Sequence, residues 1–169
     1  MPYSAKPPGD VHAVALRMLA RRSHSRRELE EKLARKGFAE SVIGGELRRL
    51  ERAGLLDEAE LARSVQRSEL RRGVGRRGIA AALGRRKLGE EPIAQALGDL
   101  STDEERESLR IALSKAVRRH AGSAELPELR RKVIRYLLAR GFPATEVIGA
   151  VGARFGESGD GEVVEPQDS

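Results

Sequence analysis

The sequence predicts an all-α protein built as a row of three small helical units. Three observations predict it. A short signature recurs, with Lys36-Gly37-Phe38 and Arg140-Gly141-Phe142 each ending an amphipathic segment and each followed by an apolar pair, Val42-Ile43 and Val147-Ile148. A weaker copy, Lys87-Leu88-Gly89, leads to Ile93, and the markers Ile43, Ile93 and Ile148 then lie 50 and 55 residues apart. Such spacing is the mark of one supersecondary unit used repeatedly. Apolar residues fall at helical spacing from Val11 to Val151, and no stretch alternates with the period of a strand. Only five of 169 residues are aromatic, which suits several small aliphatic cores better than one large one.

Residues 1–10 hold three prolines and a glycine and are expected to form a disordered arm. The first unit spans 11–55. Val11, Val14, Ala15, Met18 and Leu19 share one helix face. Ser25 with Glu28 forms a capping box that opens a second helix with Leu29 and Leu33 inward. Gly37 closes that helix in the left-handed conformation, and Phe38 folds back onto the ridge. Val42, Ile43, Leu47 and Leu50 face inward from a third helix that ends at Gly54. In the second unit, 56–100, Asp57 and Glu60 take the box positions, Leu61, Ala62 and Val65 are apolar, and Gly73-Val74-Gly75 breaks the helix. Ile79, Ala82 and Leu83 mark the next helix, and Ile93, Ala96 and Leu97 another, with Pro92 in its first turn. The third unit, 101–155, opens on Ser101 with Glu104. It carries Leu109, Ala112, Leu113 and Ala116, then Val133, Ile134, Leu137 and Leu138 before Gly141, then Val147, Ile148 and Val151. Nine helices result. Residues 156–169 contain five acids and no Lys or Arg, and are expected to be a disordered acidic tail.

That tail carries −5. Because the whole chain is +6, the other 155 residues carry +11. A basic body implies a polyanionic partner, whether nucleic acid or an acidic protein surface. The most lopsided stretch is Arg63–Lys87, where nine bases face one acid, Glu69. Its candidate partner-binding residues are Arg63, Arg67, Arg71, Arg72, Arg76, Arg77, Arg85 and Arg86. Arg63, Arg67 and Arg71 recur every fourth residue and so stack on one helix face, where like charges repel. Gly73 and Gly75 would let the backbone of Arg72–Arg77 approach a phosphate or carboxylate. The alternative is a solvated helix face followed by a turn. The acidic tail is expected to compete for the stripe.

Several functions find no support in the residues. The chain has no cysteine, so disulfides and thiolate metal sites are excluded. His12, His24 and His120 lack ligand-spaced neighbours, and no cofactor is expected. The stretch Gly73-Val74-Gly75-Arg76-Arg77-Gly78 spells a dinucleotide fingerprint, but that motif needs a preceding strand, and helix precedes it here. No pairing of acids suggests general acid–base chemistry. Met1–Gly9 has no apolar signal region, and no apolar run approaches the ~18 residues of a membrane helix. The expectation is a cytoplasmic protein that is not an enzyme.

Taken together, Ala15-Leu16 with Leu19, Ser25-Arg26-Arg27-Glu28-Leu29 with Lys32-Leu33, Lys36-Gly37-Phe38, Gly54-Leu55-Leu56-Asp57-Glu58, Arg77-Gly78-Ile79 with Leu83, and Arg131-Lys132 with Leu137 to Arg140-Gly141-Phe142 resemble the RecX family of bacterial recombination regulators. The resemblance covers about residues 11–152. It implies three tandem three-helix repeats in an elongated, curved array. It also implies a protein that binds the RecA recombinase filament and modulates, most often inhibits, its ATPase, strand-exchange and coprotease activities in DNA repair and recombination; a monomer is expected. The chain departs from the family at Leu61-Ala62, where an aromatic–Ala pair is usual, and in its middle turn. Two other readings stand beside this one. The first is a non-specific DNA-binding helical module, contacting single- or double-stranded DNA through the basic face. Base readout is disfavoured there, because Asn is absent and only Gln66, Gln95 and Gln167 are present. The second is a helical scaffold for an unrelated acidic protein.

Overall fold

Each unit begins where a side chain satisfies the free N–H groups of a helix start. The computed structural model describes residues 9–122 and 125–156; of the arm expected over 1–10 and the acidic tail expected over 156–169, residues 1–8 and 157–169 lie outside them. Nine helices occur among the described residues: α1 (Val11–Leu19), α2 (Arg26–Arg35), α3 (Glu40–Arg52), α4 (Glu58–Arg71), α5 (Arg76–Arg85), α6 (Glu90–Gly98), α7 (Thr102–His120), α8 (Leu126–Ala139) and α9 (Ala144–Phe155). Asp10 caps α1 by accepting from the His12 N–H. Ser25–Glu28 and Ser101–Glu104 form complete capping boxes at α2 and α7. At α4 only half of the expected box exists. Asp57 accepts from the Glu60 N–H at 2.9 Å, but the Glu60 carboxylate turns away to two arginines.

The helices close around three successive cores. Leu29, Leu33, Ile43, Leu47 and Leu50 form the first, between α1, α2 and α3. Leu61, Ile79, Leu83, Leu88 and Ala96 form the second, between α4, α5 and α6. Ala112, Ala116, Val133, Leu137, Phe142, Val147 and Val151 form the third, between α7, α8 and α9. The protein is thus all-α, with three-helix units in tandem. Burying such aliphatic side chains contributes about 1.5–3 kcal/mol each, and packing rather than helix propensity holds helices this short.

The repeat is real, but its register differs from the expectation in two places. Ile43 is 2% exposed, whereas in the last unit Val147 is fully buried and Ile148 is 63% exposed. The equivalent positions are therefore Ile43, Ile93 and Val147, each six residues after the turn. Val42 and Leu138 likewise face outward. The middle turn is Arg86-Lys87-Leu88, not Lys87-Leu88-Gly89. Lys87 has φ +57°, where the other turns have Gly37 (+89°) and Gly141 (+87°). The hydrogen bonds match as well: Phe38, Leu88 and Phe142 N–H groups donate to the carbonyls of Leu33, Leu83 and Leu137. A left-handed lysine costs roughly 1–2 kcal/mol that glycine avoids. Lys87 offsets part of this by pairing with Glu31 of α2.

Units two and three meet backbone to backbone. The Gly75 N–H donates to the Arg140 carbonyl at 2.9 Å, and the Arg77 N–H to the Gly141 carbonyl at 3.3 Å. A Cβ on Gly75 would lie 2.7 Å from the Gly141 carbonyl, and one on Gly78 2.6 Å from the Arg140 oxygen. The N–H groups and glycines expected to admit an anion are therefore already occupied by the neighbouring unit. This is what the fingerprint-like glycines do here. Buried Ser108 adds a hydroxyl 3.0 Å from the Val74 carbonyl and 3.2 Å from that of Leu70.

Two alanine substitutions in one helix should therefore act with opposite signs. Gly78→Ala in α5 is expected to destabilise by about 1–3 kcal/mol through overpacking. Gly84→Ala, with nothing within 4 Å of the added methyl, should stabilise by about 0.5–1 kcal/mol. Urea unfolding of both variants checks the pair.

Candidate partner-binding surface

The eight arginines singled out in the sequence do not form one free stripe. Glu60 takes two of them, with Arg63 Nε at 3.1 Å and Arg67 Nη2 at 2.9 Å. Arg72 pairs with Glu69 at 2.9 Å. Arg76 reaches across to unit three, where its Nε donates to Glu105 at 2.7 Å, while its Nη1 donates to the Leu97 carbonyl at 2.9 Å. Arg86 reaches back to unit one. The partners Glu60, Glu105 and Glu28 lie outside the stretch that looked uncompensated. Arg71, Arg77 and Arg85 are exposed, and their side chains have no hydrogen-bond or ion-pair partner among the described residues.

The arginines also separate in space. Arg67 and Arg71 line a groove of about 430 Å³ between α4 and α7, with Leu70, Asp103, Glu104, Glu107, Ser108 and Ile111. Leu70 and Ile111 supply apolar surface, and the walls carry both signs of charge. Arg110 holds Glu107 through two bonds of 2.7 and 2.6 Å, which keeps that exposed carboxyl below its usual range. Glu104 is lowered too, first by the Ser101 N–H and then by its hydroxyl. An apolar floor with both charges at the rim suits a protein segment. Arg85 and Arg86 line a different cleft of about 410 Å³, between the α1–α2 turn, α4 and α5.

Arg86 forms the joint between units one and two. Its Nε donates to Glu28 Oε1 at 2.8 Å, and its Nη2 reaches the Ser23 carbonyl at 2.7 Å. Glu28 also receives Arg22 at 3.1 Å and lies 3.2 Å from His24 Nδ1. Burial works against its charge, yet the bonds from Arg86 and Arg22 hold the carboxyl down at about 2. Burial, then Arg22 and Lys32, lower the pKa of His24. Because 58 residues separate Arg86 from Glu28, local reading could not find this pair.

A further cluster was missed in the sequence. Between α7 and α8 lies a cleft of about 470 Å³ lined by Arg119, His120, Lys132, Arg135, Tyr136, Ala139 and Arg140. Its two arms straddle the α7–α8 connection, so neither shows as a long basic run. The signal was the helical spacing of Lys132, Arg135, Tyr136, Ala139 and Arg140, which puts all five on one face.

Family comparison bears on what this scaffold is. The models for the first and third three-helix domains of RecX match residues 12–50 and 103–149. The regulatory protein RecX of Halorhodospira halophila is 38% identical over 146 residues, covering 85% of this chain and 87% of that protein. The chain belongs to the RecX family. RecX of Pseudomonas putida GB-1 is 36% identical over 80% of the chain and 85% of its own length. The crystal structure of RecX from Lactobacillus salivarius superposes with a TM-score of 0.74 at 19% identity, covering 88% of this chain and 96% of that one. At that identity the likeness speaks to fold, and it agrees with the tandem three-helix architecture that the RecX resemblance implied. Among the described residues, no cluster of three or more His, Asp or Glu is placed to hold a metal, and no helix is long and apolar enough to cross a membrane.

The joint of this RecX chain has a pH signature. Glu28 is held at about 2 against an ordinary 4.5, so its contribution is complete above about 4.5 and is lost as pH falls towards 2. His24, lowered from 6.5, adds a loss that begins as pH drops below that value. Glu28→Gln should cost about 2 kcal/mol at pH 7 and flatten the acid limb between pH 4.5 and 2. Thermal unfolding at a series of pH values reads both.

Proposed function

We propose that this chain is a non-catalytic regulator that binds the RecA recombinase filament and inhibits its ATPase, strand-exchange and coprotease activities during DNA recombination and repair. The supporting observation is family membership along most of the chain, at 38% identity to a protein named regulatory protein RecX. The architecture suits the role, because a row of units presents successive surfaces to a partner that itself repeats along its length. It acts as a monomer in the cytoplasm under this reading.

The α4–α7 groove is the surface assigned to the recombinase. Exposed Arg71 is unpaired among the described residues, so meeting an acidic group costs it no internal ion pair. Arg67 stands beside it, already shared with Glu60. Leu70 and Ile111 supply the apolar contact that dry interface centres need. Arg63, Arg72, Arg76 and Arg86 serve the fold first, since each is held by a carboxylate of the chain.

A pull-down and an ATPase assay with RecA on single-stranded DNA test the reading. The unaltered chain should bind and slow turnover. Arg71→Glu should raise the concentration for half-maximal inhibition about tenfold, equivalent to about 1.4 kcal/mol. Arg67→Glu combined with Arg71→Glu should raise it further, with helix content by circular dichroism unchanged. No binding and no change in turnover by the unaltered chain would overturn the proposal.

A further inference from the structure

We infer that the α7–α8 cleft is a binding site for the phosphate backbone of nucleic acid, separate from the groove assigned to the recombinase. Its lining carries Arg119, Lys132, Arg135 and Arg140 with His120 and no carboxylate, although Lys132 is itself paired with Glu128 at 2.8 Å. The two clefts at α4 differ, for one includes Glu69 and the other Asp103, Glu104 and Glu107. A phosphodiester chain is negative at every step and offers no cation. It therefore gains most from a wall free of carboxylates, whereas a protein segment of mixed charge fits the α4–α7 groove.

The cleft is also preorganised. Arg140 sits with its guanidinium 5.0 Å from the Tyr136 ring centroid, donates to the Tyr136 hydroxyl at 2.8 Å, and reaches the Arg72 carbonyl at 3.4 Å. The His120 ring meets Tyr136 edge-on, with centroids 6.4 Å apart. Both contacts fix the cleft floor before any ligand arrives, which lowers the ordering cost of binding. Arg119 and Arg135 stand exposed on the two opposing helices, with no hydrogen-bond or ion-pair partner among the described residues. Guanidinium groups free on both walls match phosphate oxygens bidentately. The cleft lacks Asn, Gln, Ser and Thr, and its cations are assigned to phosphate oxygens, the contacts that position a nucleic acid without reading its sequence.

The inference needs no recombinase, so its test is independent of the RecA reading. Fluorescence anisotropy with the full chain would follow a labelled oligonucleotide, single-stranded in one arm and duplex in the other, across a salt series. Arg119→Ala with Arg135→Ala should weaken binding at low salt at least tenfold. It should also reduce the slope of log affinity against log salt by about 1.4 for the single strand, from two lost contacts of about 0.7 each. Arg49→Glu, exposed on α3 and removing the same two units of net charge, should change affinity less than twofold. The tighter arm identifies the preferred form of nucleic acid. Absence of binding by the unaltered chain, equal weakening by Arg49→Glu, or equally tight binding of polyglutamate in competition would each overturn the site.

Discussion

Helices α5 and α8 complete each other's ends. Gly75 precedes α5 without a side-chain cap, and α8 ends in carbonyls that its own helix cannot use. The Gly75 and Arg77 N–H groups meet the Arg140 and Gly141 carbonyls, so orphan donors of one unit satisfy orphan acceptors of the next. Carbonyls at a helix C-terminus facing N–H groups at another's N-terminus are also the favourable arrangement of the two dipoles. The backbones can approach this closely because Gly75, Gly78 and Gly141 have no Cβ in the contact. The end of α4 is served the same way, with Lys115 and Arg140 donating to the Arg72 carbonyl and Ser108 reaching those of Leu70 and Val74. The placement of α7 against α4, and hence the groove between them, follows from this joint. So does the position of Arg140 in the cationic cleft.

The two joints of the array differ in kind. Between units two and three the link is centred on short-range backbone contact, which salt barely screens, with the exposed Arg76–Glu105 pair beside it. Between units one and two it is the Glu28–Arg86 pair with Arg22 and His24 around it, and Lys87 on Glu31. Half-buried charges respond to pH and, less strongly, to ionic strength. Acid should therefore loosen the first joint more than the second, whose backbone bonds carry no titratable group.

Much of the fold was legible because helix starts and stops are local chemistry. Ser25, Ser101, Gly37 and Gly141 act within four residues of themselves, and all four do what their positions suggest. The slips have equally local causes. Where two apolar residues adjoin, as in Val147-Ile148, a period of 3.6 cannot choose between them, and packing chose Val147. Lys87 was unreadable as a left-handed residue because the turn geometry, imposed by packing of Leu88, overrides its preference. The surface was less legible. Arg63 to Arg86 looked unpaired in sequence, yet folding brings Glu60, Glu105 and Glu28 to them from outside the stretch. The basic cleft escaped notice for the converse reason, since α7 and α8 unite two modest clusters that the sequence keeps apart.

The backbone joint is tested most directly by native-state hydrogen exchange at two amides, those of Gly75 and Arg77. Both precede or open a helix, where an N–H ordinarily exchanges at nearly the rate of a free loop. Bound to the Arg140 and Gly141 carbonyls, they should exchange as slowly as the core amides of α8 and lose protection together with them as denaturant is added. Fast exchange at Gly75 and Arg77 while the α8 core stays protected would contradict a joint that holds units two and three as one body.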